Sequence, residues 1–90
     1  MSNTYQIYLI SDSTGETLDR IFLALKAQFL NIEYKVHSYS FTRTENQILK
    51  ILEDAKKKSN SIILYTIVDN SLAKYLANAS QDKNIPCFGV

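Results

Sequence analysis

Residues 10–17 read I-S-D-S-T-G-E-T, set between the apolar run Y-Q-I-Y-L and the stretch L-D-R-I-F-L-A-L. Small hydroxyl side chains and a glycine, placed where a buried strand gives way to a helix, make an anion site. The helix N-terminus presents unpaired N–H groups, Gly15 lets backbone approach a ligand closely, and the hydroxyls of Ser13, Thr14 and Thr17 add donors. Asp12 is the odd member of the set. Its carboxylate repels a bare phosphate unless a metal or a hydroxyl donor lies between them. An acid at this point suits general-base work, a metal, or a partner's hydroxyl. Asp12 is therefore the candidate catalytic residue, and Ser11, Ser13, Thr14, Gly15 and Thr17 are candidates for holding phosphate or a partner.

The elements that must position this loop follow from periodicity. Tyr5 to Ile10 reads as a strand buried on both faces, and Leu18, Ile21, Phe22, Leu25 and Phe29 form one stripe of a helix. Tyr34 to Phe41 alternates, with His37, Tyr39 and Phe41 on one face, as in an edge strand. Ile48, Ile51, Leu52 and Ala55 resume helical spacing, Ser61 to Val68 is a β-branched apolar run, and Leu72, Tyr75, Leu76 and Ala79 are helical again. Ile85 to Val90 supplies a fourth strand. The order βαβαβαβ predicts an α/β three-layer sandwich, flavodoxin- or Rossmann-like, with a mostly parallel four-stranded sheet and helices on both faces.

Such sheets bind ligands at the carboxyl ends of their strands, near the point where strand order reverses. Three loops reach that edge: Ser11 to Gly15, Phe41 to Thr44, and Thr66 to Asn70. Arg43 is the one guanidinium placed to fork a phosphate, and Thr66 and Asp69 join the candidate binding residues. Capping accounts for part of the pattern. Ser13 with Glu16 and Thr44 with Gln47 both have capping-box spacing, and Asp69 has the chemistry to cap the third helix. One cap does not require Ser11, Asp12, Ser13, Thr14 and Gly15 in a row.

The remaining features bound the function. Ninety residues make one small domain, 1–90, at 46% hydrophobic and 21% charged, and a net charge of +1 gives no reason to expect nucleic acid as a partner. No apolar stretch approaches the roughly 20 residues of a membrane helix. The N-terminus lacks a signal-peptide pattern, and the single cysteine has no partner for an internal disulfide, so cytoplasm is the default location. His37 has no acid or cysteine at ligand spacing and reads as a packed side chain. Cys87 reads as an inert thiol, and Lys56, Lys57 and Lys58 as a helix end complemented by cations. No metal site is expected. A chain that stops at a buried fourth strand, without a closing helix, is expected to be the N-terminal part of a longer protein.

Asp12-Ser13-Thr14-Gly15-Glu16-Thr17 resembles the flavodoxin phosphate loop, (S/T)-x-T-G-x-T, except at its first position, where the acid replaces a donor. Neither G-x-G-x-x-G nor G-x-x-x-x-G-K-(S/T) occurs, so a dinucleotide fold or a self-contained P-loop enzyme has no support. A longer match runs from Ile7 to Val90. I-Y-L-I-S-D-S-T-G-E-T-L, A-L-K-A-Q-F, I-L-Y-T-I-V-D-N-S-L and I-P-C-F-G-V together resemble the N-terminal region of the regulatory proteins of pyruvate, phosphate dikinase and phosphoenolpyruvate synthase.

The resemblance implies a bifunctional serine/threonine kinase and phosphorylase. Proteins of that family phosphorylate a threonine of the dikinase or synthase with ADP as donor, and remove the phosphate with inorganic phosphate, releasing pyrophosphate. Their nucleotide-binding P-loop, of the type G-x-S-R-x-x-K-T, lies beyond the matched region. No cofactor is therefore expected in this chain itself, and ADP or ATP enters only through the P-loop domain of a full-length protein. The dikinase or synthase, and that C-terminal domain, are the implied partners. A non-catalytic phosphate- or partner-binding module, alone or as a homodimer, and an inactive fragment are the competing readings.

Overall fold

A computed structural model describes residues 4–28 and 31–90; Phe29, expected in the first helical stripe, lies outside the described residues. In chain order the elements are β1 (Tyr5–Ser11), α1 (Glu16–Lys26), β2 (Tyr34–Tyr39), α2 (Glu45–Lys57), β3 (Ser61–Thr66), α3 (Asn70–Asp82) and β4 (Cys87–Gly89). The four strands form one parallel sheet in the order β2-β1-β3-β4. This is the expected βαβαβαβ architecture.

Alternation along the strands decides what each face buries. Tyr8 and Ile10 of β1 and Ile63 of β3 are fully buried against Ile48, Ile51, Leu52 and Ala55 of α2 and Leu72 and Leu76 of α3. Residues one step along point the other way, toward α1. There Leu9 and Leu18 are buried, and Phe22 meets Tyr34 edge-on at 5.6 Å between ring centres. Two helices thus cover one face and one helix the other.

Local chemistry sets the helix starts. Thr44 and Gln47 form the expected capping box, and the Asp69 carboxylate accepts the Leu72 N–H at 3.1 Å. The expected Ser13–Glu16 box does not form. Gly15 occupies the N-cap of α1 at φ 86°, a left-handed conformation in which glycine carries no Cβ penalty, and among the described residues the only side chain bonded to that helix start is Thr14, whose Oγ1 accepts the Glu16 N–H at 3.4 Å. Ser13 stands two residues earlier, its carbonyl accepting the Phe41 N–H at 2.8 Å. That bond and Thr42 N–H to Ser11 O, also 2.8 Å, draw the chain across the end of β1. Strand β2 consequently ends at Tyr39 rather than Phe41, which leaves the ladder with φ 54°. Strand β3 likewise stops at Thr66, two residues before the expected Val68.

Under α2 a partly buried polar connection reaches the surface. The Tyr8 hydroxyl donates to Asp54 Oδ2 at 2.7 Å, and Lys58 Nζ donates to both carboxylate oxygens at 2.8 and 2.9 Å. His37 stacks on Tyr8 at 4.6 Å and hydrogen-bonds Gln6 Oε1 at 2.7 Å, the packed role expected of it. The Lys58 ammonium, and after it the Tyr8 hydroxyl, hold the Asp54 carboxyl below the usual carboxylate range. Burial first, then Asp54, pushes the Tyr8 phenol above its ordinary value.

The two shifts have opposite signs in pH. Asp54 contributes stability at pH values above the ordinary aspartate pKa and loses it as pH falls through the lowered one. Tyr8 contributes below pH about 10 and loses its part as pH rises toward the raised value. Because Asp54 is two-fifths exposed, Tyr8→Phe is expected to lower mid-pH stability by only about 1 kcal/mol. It should also soften the alkaline decline. Urea midpoints measured from pH 3 to 11 check both, and an unchanged alkaline limb in the variant would count against the assignment.

Candidate functional site at the carboxyl edge of the sheet

β1 and β3 are neighbours, yet the chain leaves them toward opposite faces, into α1 and α3. The gap between their loops is the switch point at which parallel sheets bind ligands. Asp12 lies across this gap. Its Oδ2 accepts the Val68 N–H at 2.8 Å, and its own N–H donates to Thr66 O at 3.3 Å. The Val68 amide emerges beyond the end of the ladder with no strand partner, and the carboxylate supplies one. The acid therefore has a structural use: it ties the first loop to the third.

Hydroxyls extend the same connection. Thr66 Oγ1 donates to Ser11 Oγ at 3.3 Å, Ser11 Oγ lies 3.2 Å from Ser13 Oγ, and the Ser13 N–H donates to Ser11 Oγ at 3.1 Å. From the second loop, Arg43 Nε donates to the Asp12 carbonyl at 3.0 Å, with the guanidinium 5.2 Å from the centre of the Phe41 ring. Its two Nη groups make no hydrogen bond within the described residues. Asp69 is spent on capping α3.

The other expected binding residues fall on a different side of the loop. Ser11, Thr14 and Gly15, with Leu18, Ser38 and Ser40, line a crevice of about 60 Å³ at the start of α1. Arg43 is not in its lining, whereas Asp19 is. Thr17 is exposed on α1 and joins neither group, and Ser13 is exposed. Glu16 and Asp19 place two carboxylates in the first turn of α1. Against the roughly half unit of positive charge that a helix end carries, they disfavour a free anion there.

Sequence reasoning did not single out Val68 or the exposed setting of Phe41. Val68 is 86% exposed and Phe41 50%, so two large apolar side chains flank Asp12 and Arg43 at the open edge. The available signal was that Val68 directly precedes Asp69, the N-cap of α3, and that Phe41 lies three residues before Thr44, the N-cap of α2. Both read as strand ends as well as members of the edge loops, with no role of their own.

The fold and this edge define a doubly wound parallel α/β unit with a switch-point site. Comparison with known proteins then gives the family: the kinase/pyrophosphorylase family matches residues 7–90, and the chain belongs to it. A protein of Pelagibacter ubique strain HTCC1062 named pyruvate, phosphate dikinase regulatory protein is 74% identical over all 90 residues. A protein of the same name from Geotalea uraniireducens is 47% identical over 73 residues, 81% of this chain, and one from Listeria monocytogenes named pyruvate, phosphate dikinase regulatory protein 2 is 40% identical over 87 residues, 96% of it. The chain spans about a third of the length of these relatives: 33%, 27% and 32% respectively.

Proposed function

We propose that these residues form the N-terminal, target-facing part of a regulator that phosphorylates a threonine of pyruvate, phosphate dikinase with ADP as donor and reverses the modification with inorganic phosphate, releasing pyrophosphate. The nucleotide is bound by the P-loop domain that the chain does not span. The Asp12–Arg43 pair at the switch point receives the threonine-bearing segment of the target. The three relatives named above carry the dikinase in their names, which favours it over phosphoenolpyruvate synthase as the target.

One observation carries this reading. The Asp12 carboxylate is fixed by the Val68 N–H, the Asp12 carbonyl holds the Arg43 guanidinium, whose Nη groups make no hydrogen bond within the described residues, and two exposed apolar side chains flank them. The acid suits a threonine hydroxyl, and the guanidinium suits the phosphoryl group once it is on that hydroxyl. The apolar flanks suit peptide rather than inorganic phosphate. The acids of the first turn of α1 count against the alternative of a free-phosphate module.

The test is a titration of the chain with a phosphothreonine peptide, with inorganic phosphate and with ADP, followed by amide NMR shifts. The peptide is expected to move the signals of Asp12, Arg43 and Val68, and Arg43→Ala to weaken its binding at least about tenfold. ADP is expected to leave them in place. A peptide that perturbs no edge residue, or an Arg43→Ala chain that binds it equally well, would refute the proposal.

A further inference from the structure

Parallel sheets carry cover on both faces, and here the covers are unequal. A helix is about 10 Å across and strands lie about 4.8 Å apart, so four strands need two helices on each face. α2 and α3 meet that need on one side, where Tyr8, Ile10 and Ile63 are inaccessible. α1, alone on the other side among the described residues, reaches β1 and β3 and, through Phe22, Tyr34 of β2. Beside it runs an open trough of about 390 Å³, walled by Ile7, Phe22, Leu25, Ile62, Leu64 and Phe88 among others, with Lys26 the only charged residue among the described residues of the lining. Phe88 of β4 is 56% exposed.

Topology says what kind of element closes it. With right-handed crossovers, the β1-to-β2 connection, which runs from the centre toward the β2 edge, carries its helix on the α1 face. The connections that run toward β4 carry theirs on the opposite face, as α2 and α3 do. A further helix reaches the α1 face only if the chain comes back from beyond β4 in the β1-to-β2 direction. Two-thirds of the length of the relatives lies outside the region matched here, which leaves ample chain for such a return.

We infer that the trough is the docking site of an amphipathic helix supplied by the part of the full-length protein that this chain does not span, with apolar residues at i, i+3 or i+4, and i+7 seated against Leu25, Leu64 and Phe88. A helix fits better than a strand because the trough opens on the sheet's face, where side chains rather than backbone groups are offered. It fits better than a polar partner because the walls present one charge. This inference stands on fold and burial, independent of the proposed chemistry at the carboxyl edge.

The experiment uses a chimera in which residues 1–90 replace the matched third of the Pelagibacter ubique relative, with Phe88→p-benzoylphenylalanine as a photocrosslinker and Lys50→p-benzoylphenylalanine on the exposed side of α2 as the control. The expected result is a cross-link within one molecule, from position 88 to a downstream segment with that spacing, and none from position 50. The same substitution in the 90-residue chain tests the other occupant. Cross-linked pairs of residues 1–90 joined through position 88, in the chain and in the chimera alike, would show a second copy on the face and overturn the inference. So would a folded, ADP-binding chimera in which position 88 cross-links to nothing. Loss of phosphoryl transfer with the cross-link intact would count against the proposed function and leave this inference standing.

Discussion

Asp12→Asn, placed in the chimera with the Pelagibacter ubique relative, is expected to slow threonine phosphorylation by about 10²- to 10⁴-fold, the range associated with a lost general base. The side-chain oxygen of asparagine still accepts the Val68 N–H, so the latch between the first and third loops survives. Thermal stability should therefore change by no more than about 0.5 kcal/mol. Asp12→Ala removes latch and acid together. It should match the Asn variant in rate and add a stability loss of about 1 kcal/mol, at the low end of the range for a buried donor left unsatisfied because the edge is open to water. Initial rates beside urea midpoints for the two variants separate the roles. An Asn variant as fast as the parent, with only the Ala variant impaired, would make Asp12 a structural tie and nothing more.

The second large effect is on stability. Ile63 is inaccessible, lies in an interior strand paired with Tyr8 on one side and Cys87 on the other, and belongs to the cluster formed with α2 and α3. Ile63→Ala is expected to cost about 2–5 kcal/mol, set against a total of about 4–13 kcal/mol for a chain of this size. The urea midpoint should fall by roughly a sixth or more with little change in slope. Val68→Ala, at the exposed edge, should cost no more than about 0.5 kcal/mol. An Ile63→Ala penalty below about 1 kcal/mol would contradict the packing described for the α2–α3 face.

Much of this architecture was legible because period and punctuation agree. The stripe Ile48, Ile51, Leu52 and Ala55 could only be a helix face, and Thr44 with Gln47 marked its start correctly. Ser13 with Glu16 has the same spacing and did not form a box, because Gly15, the residue between them best able to adopt φ 86°, fixed the N-cap two positions later. A motif read locally does not register that competition. Phe41 and Val68 were read as strand residues for the same reason. Their ladders end where the first loop intrudes, and Thr42 and Phe41 find partners in Ser11 and Ser13 instead of in a neighbouring strand.

The site was legible in its residue types more than in its arrangement. Asp12 stood out as an acid in a phosphate-like loop, yet its partner Val68 lies 56 positions away, a separation that periodicity does not report. Arg43 was correctly placed beside the first loop, where it bonds the Asp12 carbonyl. The crevice at the start of α1 depends on Ser38 and Ser40, which carry no sequence signal beyond being polar positions on a half-exposed strand. Thr17 was credited as a donor by proximity alone, and the helix turns it outward.

The regulator role proposed for these residues rests on phosphoryl transfer to the dikinase. Its most direct test is the unmodified chimera, incubated with pyruvate, phosphate dikinase and ADP carrying a labelled β-phosphate, and then with inorganic phosphate. The expected result is label on a dikinase threonine in the first step, and its release as pyrophosphate in the second. A folded chimera that binds ADP but transfers no label, while the native relative does so in the same assay, would contradict it.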